Sequence, residues 1–164
     1  MPTATLHACA DPRLPAAGWR RFTHAPPPGD SDYEAHRLEL GLPGGSADMV
    51  SEQSVLLEAG FDELHGVSWS KGCYMGQELT ARTRYRGLVK RRLVPVAITC
   101  PAPPRGTPVL LDGAEVGEMR SAHGARGMAL LRLGALGAPA LACGGAVLRP
   151  AVPGWMRLPE AMAG

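Results

Sequence analysis

Aromatic side chains are scarce: Trp, Tyr and Phe together make up 5% of the 164 residues, so aliphatic side chains and Ala must fill whatever core forms. Net charge is almost missing as well, at +2, which with 45% hydrophobic and 20% charged residues excludes a charged polymer or a disordered tail. No apolar run reaches the roughly 20 residues that span a bilayer. The first twelve residues carry Asp11 but no Lys or Arg, which speaks against a secretory leader or membrane anchor. Clustered cysteines are missing too. Cys9, Cys73, Cys100 and Cys143 form no CxxC or CxxH pair, and none of His7, His24, His36, His65 and His123 stands at ligand spacing from them. This argues against a structural zinc site and against a cluster ligated by neighbouring thiols. The expectation is a soluble, intracellular protein with reduced thiols and no membrane partner.

What is present is 45% hydrophobic residues, 21 Gly and 16 Pro, enough for one core or two small ones with many turns. The charges are unevenly distributed. Between Pro28 and His65, nine acids (Asp30, Asp32, Glu34, Glu39, Asp48, Glu52, Glu58, Asp62, Glu63) face Arg37 alone. Between Lys71 and Arg92, seven bases (Lys71, Arg82, Arg84, Arg86, Lys90, Arg91, Arg92) face Glu78 alone. Either the two segments meet and neutralise each other, or the basic one faces an anionic ligand or a nucleic acid.

Residues 1–30 read as loop-rich, with a short strand at Thr5–Ala8 and a turn at Pro26, Pro27 and Pro28. Ser31 to Glu34 spells an S-x-x-E capping box, and Ala35, Leu38 and Leu42 follow at helical spacing until Gly41 and Pro43 stop the helix. The short apolar run Val55–Ala59 is assigned to a helix. A second helix is expected from near Cys73 to Arg84, ending at Gly87. From Arg92 the texture changes to strands: Leu93 to Ile98, a hairpin of Val109–Leu111 and Glu115–Met119 around Asp112-Gly113, then Met128–Leu133 and Ala146–Val152. Short strands with Gly-rich turns predict a small antiparallel barrel or sandwich.

The most specific segment is Lys71-Gly72-Cys73-Tyr74-Met75-Gly76-Gln77-Glu78, followed by Arg82. It resembles the signature K-G-C-Y-x-G-Q-E, with an Arg four residues on, of the YgfZ-type folate-binding proteins, relatives of the glycine-cleavage T-protein that support iron–sulfur enzyme maturation. Further elements are similar to the same family. They are Asp11-Pro12-Arg13 with Gly18-Trp19-Arg20, Arg37-Leu38-Glu39 with Gly41-Leu42-Pro43, Glu58, Gly87 with Arg91-Arg92-Leu93, and Val116-Gly117 with Ser121.

The resemblance implies an α+β fold. Residues 1–88 are expected to form the C-terminal portion of a T-protein-like folate-binding domain, 89–158 a small antiparallel β-barrel and 159–164 a tail. Family members are longer, and the part ahead of Asp11, which supplies half of the folate-binding body, is expected to be missing.

A pterin presents adjacent N–H donors that suit a carboxylate, and a folate's glutamate tail suits Arg or Lys. The resemblance gives Glu39 the pterin, Arg37 the task of orienting it or meeting substrate, and Arg82 a share of the cofactor site. On the residues alone, Glu39 also suits the solvated face of a capped helix. Cys73 reads as a reactive thiol if Lys71, Arg82 and a helix N-terminus favour the thiolate, or as a packed small hydrophobe if they do not.

The function implied is a tetrahydrofolate-dependent accessory factor for assembly or repair of iron–sulfur proteins, with client proteins or assembly machinery as partners and no bound metal or cluster. Alternatives are an aminomethyltransferase of the T-protein kind and an RNA-binding module using Arg82 to Arg92 with Tyr85. The expected compartment is the cytoplasm, or the mitochondrial matrix in a eukaryote.

Overall fold

From Arg91 onward, six strands close into an antiparallel barrel: β3 (Arg91–Ile98), β4 (Pro108–Leu111), β5 (Ala114–His123), β6 (Arg126–Arg132), β7 (Leu141–Cys143) and β8 (Ala146–Pro150). Their order is β3-β6-β5-β4-β7-β8, and β8 returns to β3 through Val96–Pro150 and Ile98–Leu148. Closure removes the sheet edges that would otherwise stand open. Two-residue turns reverse the chain at 112–113, 124–125 and 144–145. Asp112 and Gly113 both take positive φ, as do Gly144 and Gly145, which is the mirror-image geometry that matches the twist of a hairpin.

The computed structural model describes residues 5–24, 32–99 and 101–158. The proline turn at 26–28, Ser31 of the expected capping box and the 159–164 tail lie outside them. Ahead of the barrel come β1 (Thr5–Ala10) paired with β2 (Trp19–Thr23), helix α1 (Tyr33–Leu40), a run of turns from 51 to 65, and helix α2 (Gln77–Tyr85).

Alternation along the strands creates two apolar layers. Val94, Val96, Ile98, Met119, Ala129, Leu131 and Leu148 fill the barrel core. Leu93, Met128 and Leu130, offset by one position, belong to a second layer with Leu38 of α1, Ala59, Met49 and Phe61. β3 and β6 are thus covered on both faces, which is why they read as nearly continuous apolar runs.

Pro95 sits in the middle of β3, where a missing N–H normally excludes proline from a central strand. Its carbonyl still accepts from Ala151 N at 2.9 Å, and its ring packs against the end of α1. There Gly41 has φ +71°, and a Cβ at that position would come within 3.1 Å of the Pro95 ring. Gly41 therefore both caps the helix and admits the proline.

Three sequence expectations are corrected. α1 is capped by Asp32, whose carboxylate accepts from Ala35 N at 2.9 Å, while Glu34 turns to Arg37 rather than back to the helix start. Val55–Ala59 forms successive turns, with Glu58 N on Val55 O and Ala59 N on Leu56 O, because Gly60 at φ +77° ends the run before an α-helix can nucleate. α2 starts at Gln77 and not near Cys73, because Gly76 at φ +85° stands at its N-cap.

Candidate functional site

The signature loop lies on the surface. Lys71, Gly72, Cys73, Met75 and Gly76 are exposed, and Gly72 shares the positive φ of Gly76. Gln77 Oε1 accepts from Tyr74 N at 3.3 Å, which turns the chain into α2. Lys71 Nζ stands 4.6 Å from the centre of the Tyr74 ring, a cation–π contact, and Arg82 Nη2 is 2.6 Å from Glu78 Oε1 one helical turn away. The residues of the string therefore organise each other. The two nearby cations expected to act on Cys73 are each engaged elsewhere, and the thiol stands outside the helix N-terminus. α2 buries none of its residues, and Met75, Leu79 and Tyr85 are all exposed. Behind it, Arg84 lies over the Trp69 ring at 4.1 Å and pairs with Asp62 at 3.6 Å, and Trp69 Nε1 donates to Asp62 Oδ1 at 2.6 Å.

Glu39 is on the exposed side of α1, 61% accessible, with Arg126 of β6 3.3 Å away. It borders a shallow cavity with Pro95, Ala97 and Ala151. Arg37, two residues before it, is buried. Its guanidinium donates to Glu34 Oε2 from Nε at 2.7 Å, to Asp48 Oδ2 from Nη1 at 2.8 Å and to Ser121 Oγ from Nη2 at 3.2 Å. Burial lowers its pKa, but Glu34 and Asp48 outweigh burial and hold it above the ordinary value. Asp48 also accepts from Gly44 N at 2.6 Å and from Ser121 Oγ. A Cβ on Gly44 would stand 2.6 Å from Arg37 Cζ, so glycine there lets the guanidinium through.

This network joins α1, the following loop and β5. Of its members, Asp48 carried no sequence signal beyond its charge, while Ser121 was visible in the V-G-x-x-x-S element.

No hydrogen bond or ion pair among the described residues links Glu39 or Arg37 to Cys73 or Arg82. The structure thus brings together Lys71, Tyr74, Gln77, Glu78 and Arg82 within one loop and helix, and Arg37 and Glu39 on α1 beside the barrel. Glu58 Oε1 and Oε2 take a two-point ion pair from Arg91 at 3.2 and 3.0 Å, which ties the turn segment to the start of β3. Asp11 accepts from Arg13 Nε and Nη2 at 3.0 and 2.8 Å and from Arg20 Nε at 2.8 Å. The Arg13 guanidinium, with help from Arg20 and against burial, holds the Asp11 carboxyl well below the usual carboxylate range. No group of three His, Cys, Asp or Glu residues able to hold a metal ion occurs among the described residues.

A closed six-stranded antiparallel barrel with an α-helix and turn segment on its outer face defines an α+β protein ending in a β-barrel domain, and residues 90–158 match the family described as CAF17, C-terminal beta-barrel domain. The relatives sharpen this. The chain is similar to the mitochondrial iron–sulfur cluster assembly factor IBA57 of Mus musculus, 38% identical over 137 residues, and of Homo sapiens, 39% identical over 135 residues. Each match covers 74% of this chain and 38% of the relative. The IBA57 homologue of Neurospora crassa is 39% identical over 98 residues, 54% of this chain and 22% of that protein. The chain therefore spans well under half the length of these relatives. They narrow the YgfZ-type resemblance to its CAF17 and IBA57 kin.

Proposed function

We propose that the chain serves the maturation of iron–sulfur proteins, binding tetrahydrofolate and meeting a client or assembly protein at the signature loop around Cys73. The observation that carries this reading is an intact K-G-C-Y-x-G-Q-E string on the surface, Cys73 exposed, in a chain whose relatives are named iron–sulfur cluster assembly factors. A thiol held out on a glycine-flanked loop is accessible to another protein in a way that a packed thiol is not.

For folate, Glu39 is the group offered to the pterin edge. Its contact with Arg126 is solvent-exposed and therefore weak enough to be exchanged for two N–H donors. Arg37, enclosed on three sides, acts as a positioning residue for the helix that carries Glu39. Arg82 exchanges Glu78 for the anionic tail of the cofactor. Folate-dependent one-carbon transfer of the aminomethyltransferase kind would use the same groups. RNA binding draws on Tyr85, exposed with its ring 6.5 Å from that of Trp69, and on the arginines around it. Of the two compartments expected, the relatives' names support the mitochondrial one.

Titrating tetrahydrofolate against the chain while following tryptophan fluorescence tests the ligand. Saturable binding that is lost in Glu39→Ala is expected, and salt-steep RNA binding with no folate response would overturn it. The role in maturation is tested by restoring an iron–sulfur enzyme in cells lacking the factor. Cys73→Ala is expected to fail, and full restoration would make the thiol dispensable.

A further inference from the structure

A cavity of about 340 Å³ lies between the turn segment, the last turn of α2, the residues leading into β3 and residues 157–158. It takes none of its lining from α1 or from the signature loop at 71–78. Its apolar side is made by Leu57, Val89 and Leu158. Thr83 adds no free hydroxyl proton, because its Oγ1 donates to Leu79 O at 2.8 Å within the helix.

The charged side carries three guanidiniums against two carboxylates. Asp62 accepts from Trp69 Nε1 at 2.6 Å and pairs with Arg84 at 3.6 Å. Glu63 Oε1 accepts from Arg92 Nη2 at 2.6 Å and from Arg157 N at 3.2 Å. Glu63 Oε2 and Arg92 Nε are buried without partners, one atom on each member, so that pair is neutral and closed to a ligand.

Two charges of each sign thus cancel, and the Arg157 side chain is left over. It is exposed, and no hydrogen bond or ion pair among the described residues engages its guanidinium. Such a group offers parallel N–H donors that match a carboxylate. A cationic ligand would find both carboxylates taken, and a neutral polar one would leave its groups unpaired against Leu57, Val89 and Leu158.

We propose that this cavity binds a medium-chain aliphatic carboxylate, its head group paired with Arg157 and its chain laid on Leu57, Val89 and Leu158. The volume equals about eleven waters at the ~30 Å³ each occupies in the liquid, room for a chain of roughly six to eight carbons. A dicarboxylate of the same length would press its second charge onto the apolar side, a burial that nothing there compensates. Because α2 buries none of its own residues, a ligand seated against its last turn adds contacts that the helix otherwise lacks.

The test titrates the 164-residue chain with sodium butyrate, hexanoate and octanoate below their micellar range. Sodium chloride at equal ionic strength and sodium octanedioate are the references. The readouts are calorimetry and the amide resonances of Gly87 and Val89. Saturable binding that shifts both resonances is expected, tightening about three- to fourfold for each added CH₂ as the chain meets the apolar side. Octanedioate should bind about tenfold or more weakly than octanoate. Arg157→Gln should weaken octanoate about fivefold, the upper end for an exposed ion pair, while Arg149→Gln on the exposed side of β8 should leave it unchanged. The Arg157 side chain has no partner to abandon, so its loss leaves the fold in place. Binding that never saturates, ignores chain length, accepts octanedioate as well as octanoate, leaves Gly87 and Val89 unmoved or survives Arg157→Gln undiminished would overturn the proposal.

Discussion

At Arg37 the difference between a charge that binds a ligand and one that holds a structure is a matter of how many donors are already used. All three of its nitrogens are bonded, to Glu34, Asp48 and Ser121, and Asp48 is in turn bonded to Gly44 N. Removing one member of such a buried pair leaves the other uncompensated, which costs about 3–5 kcal/mol. Arg37→Met is therefore expected to lower the urea midpoint far more than Arg82→Met, whose partner Glu78 is a solvated neighbour one turn away. Comparable midpoints would show the network to be dispensable.

The sequence could name Arg37 as chemically important through its R-L-E context, but not as enclosed. Asp48 lies eleven residues on and Ser121 on a distant strand, so only the fold brings them together. For Cys73 the local string was fully legible. Its surroundings were not, because the conformation of Gly76 decides where the helix starts.

Asp11 gives the same logic a pH dependence. Its folded pKa is depressed by Arg13 and Arg20, so its contribution is present above the ordinary carboxylate range and is lost as pH falls through that range toward the folded value. Asp11→Asn is expected to remove about 1–3 kcal/mol at neutral pH and to flatten the acid limb of the stability curve below about pH 4. Denaturant midpoints measured across that window check the sign, and an unchanged acid limb would refute it.

Among the elements, those whose signals are local were readable. The Asp112-Gly113 turn fixed the β4–β5 hairpin, since positive φ at both positions is what that dipeptide tolerates. Gly41 marked the end of α1, and the apolar run from Leu93 marked β3. β7, three residues long, and β2, whose residues face mostly solvent, carry no periodicity to detect. Val55–Ala59 shows the reverse case: Leu57 and Ala59 are buried, but turns bury them as well as a helix would.

The capping of α1 is testable at this scale. Asp32 accepts from Ala35 N and also meets His123 Nε2 at 2.7 Å across the barrel rim. Asp32→Ala removes the N-cap and is expected to cost about 1 kcal/mol, read as a lowered thermal midpoint. Trp155→Phe acts at the other end of the same helix, where the indole N–H donates to Leu40 O at 2.8 Å, and is expected to cost a similar amount.

Across the whole molecule, burial divides the chain into parts of unequal resistance to opening. β3 and β6 are covered on both faces, by the barrel core within and by Leu38, Ala59 and Phe61 without. α2 buries nothing, and every residue of β2 except Thr23 is exposed. Amide exchange follows such differences, since a segment that buries no residue and sheds few apolar contacts on opening opens at little cost in free energy. Hydrogen exchange followed by mass spectrometry is expected to protect peptides from 91–98 and 126–132 longest and to exchange 77–85 at close to the rate of an unfolded chain.

The order carries functional content. The signature loop and α2 adjoin on the part of the molecule with least internal support, where a partner can order them on docking, while Glu39 and its neighbours stand on the part with most. If a partner does dock there, its addition should slow exchange in 71–85 and leave the barrel strands as they were. Protection already high in α2 of the isolated chain would mean that the helix is stabilised by contacts this structure lacks, and would remove the reason to seek a partner on that face.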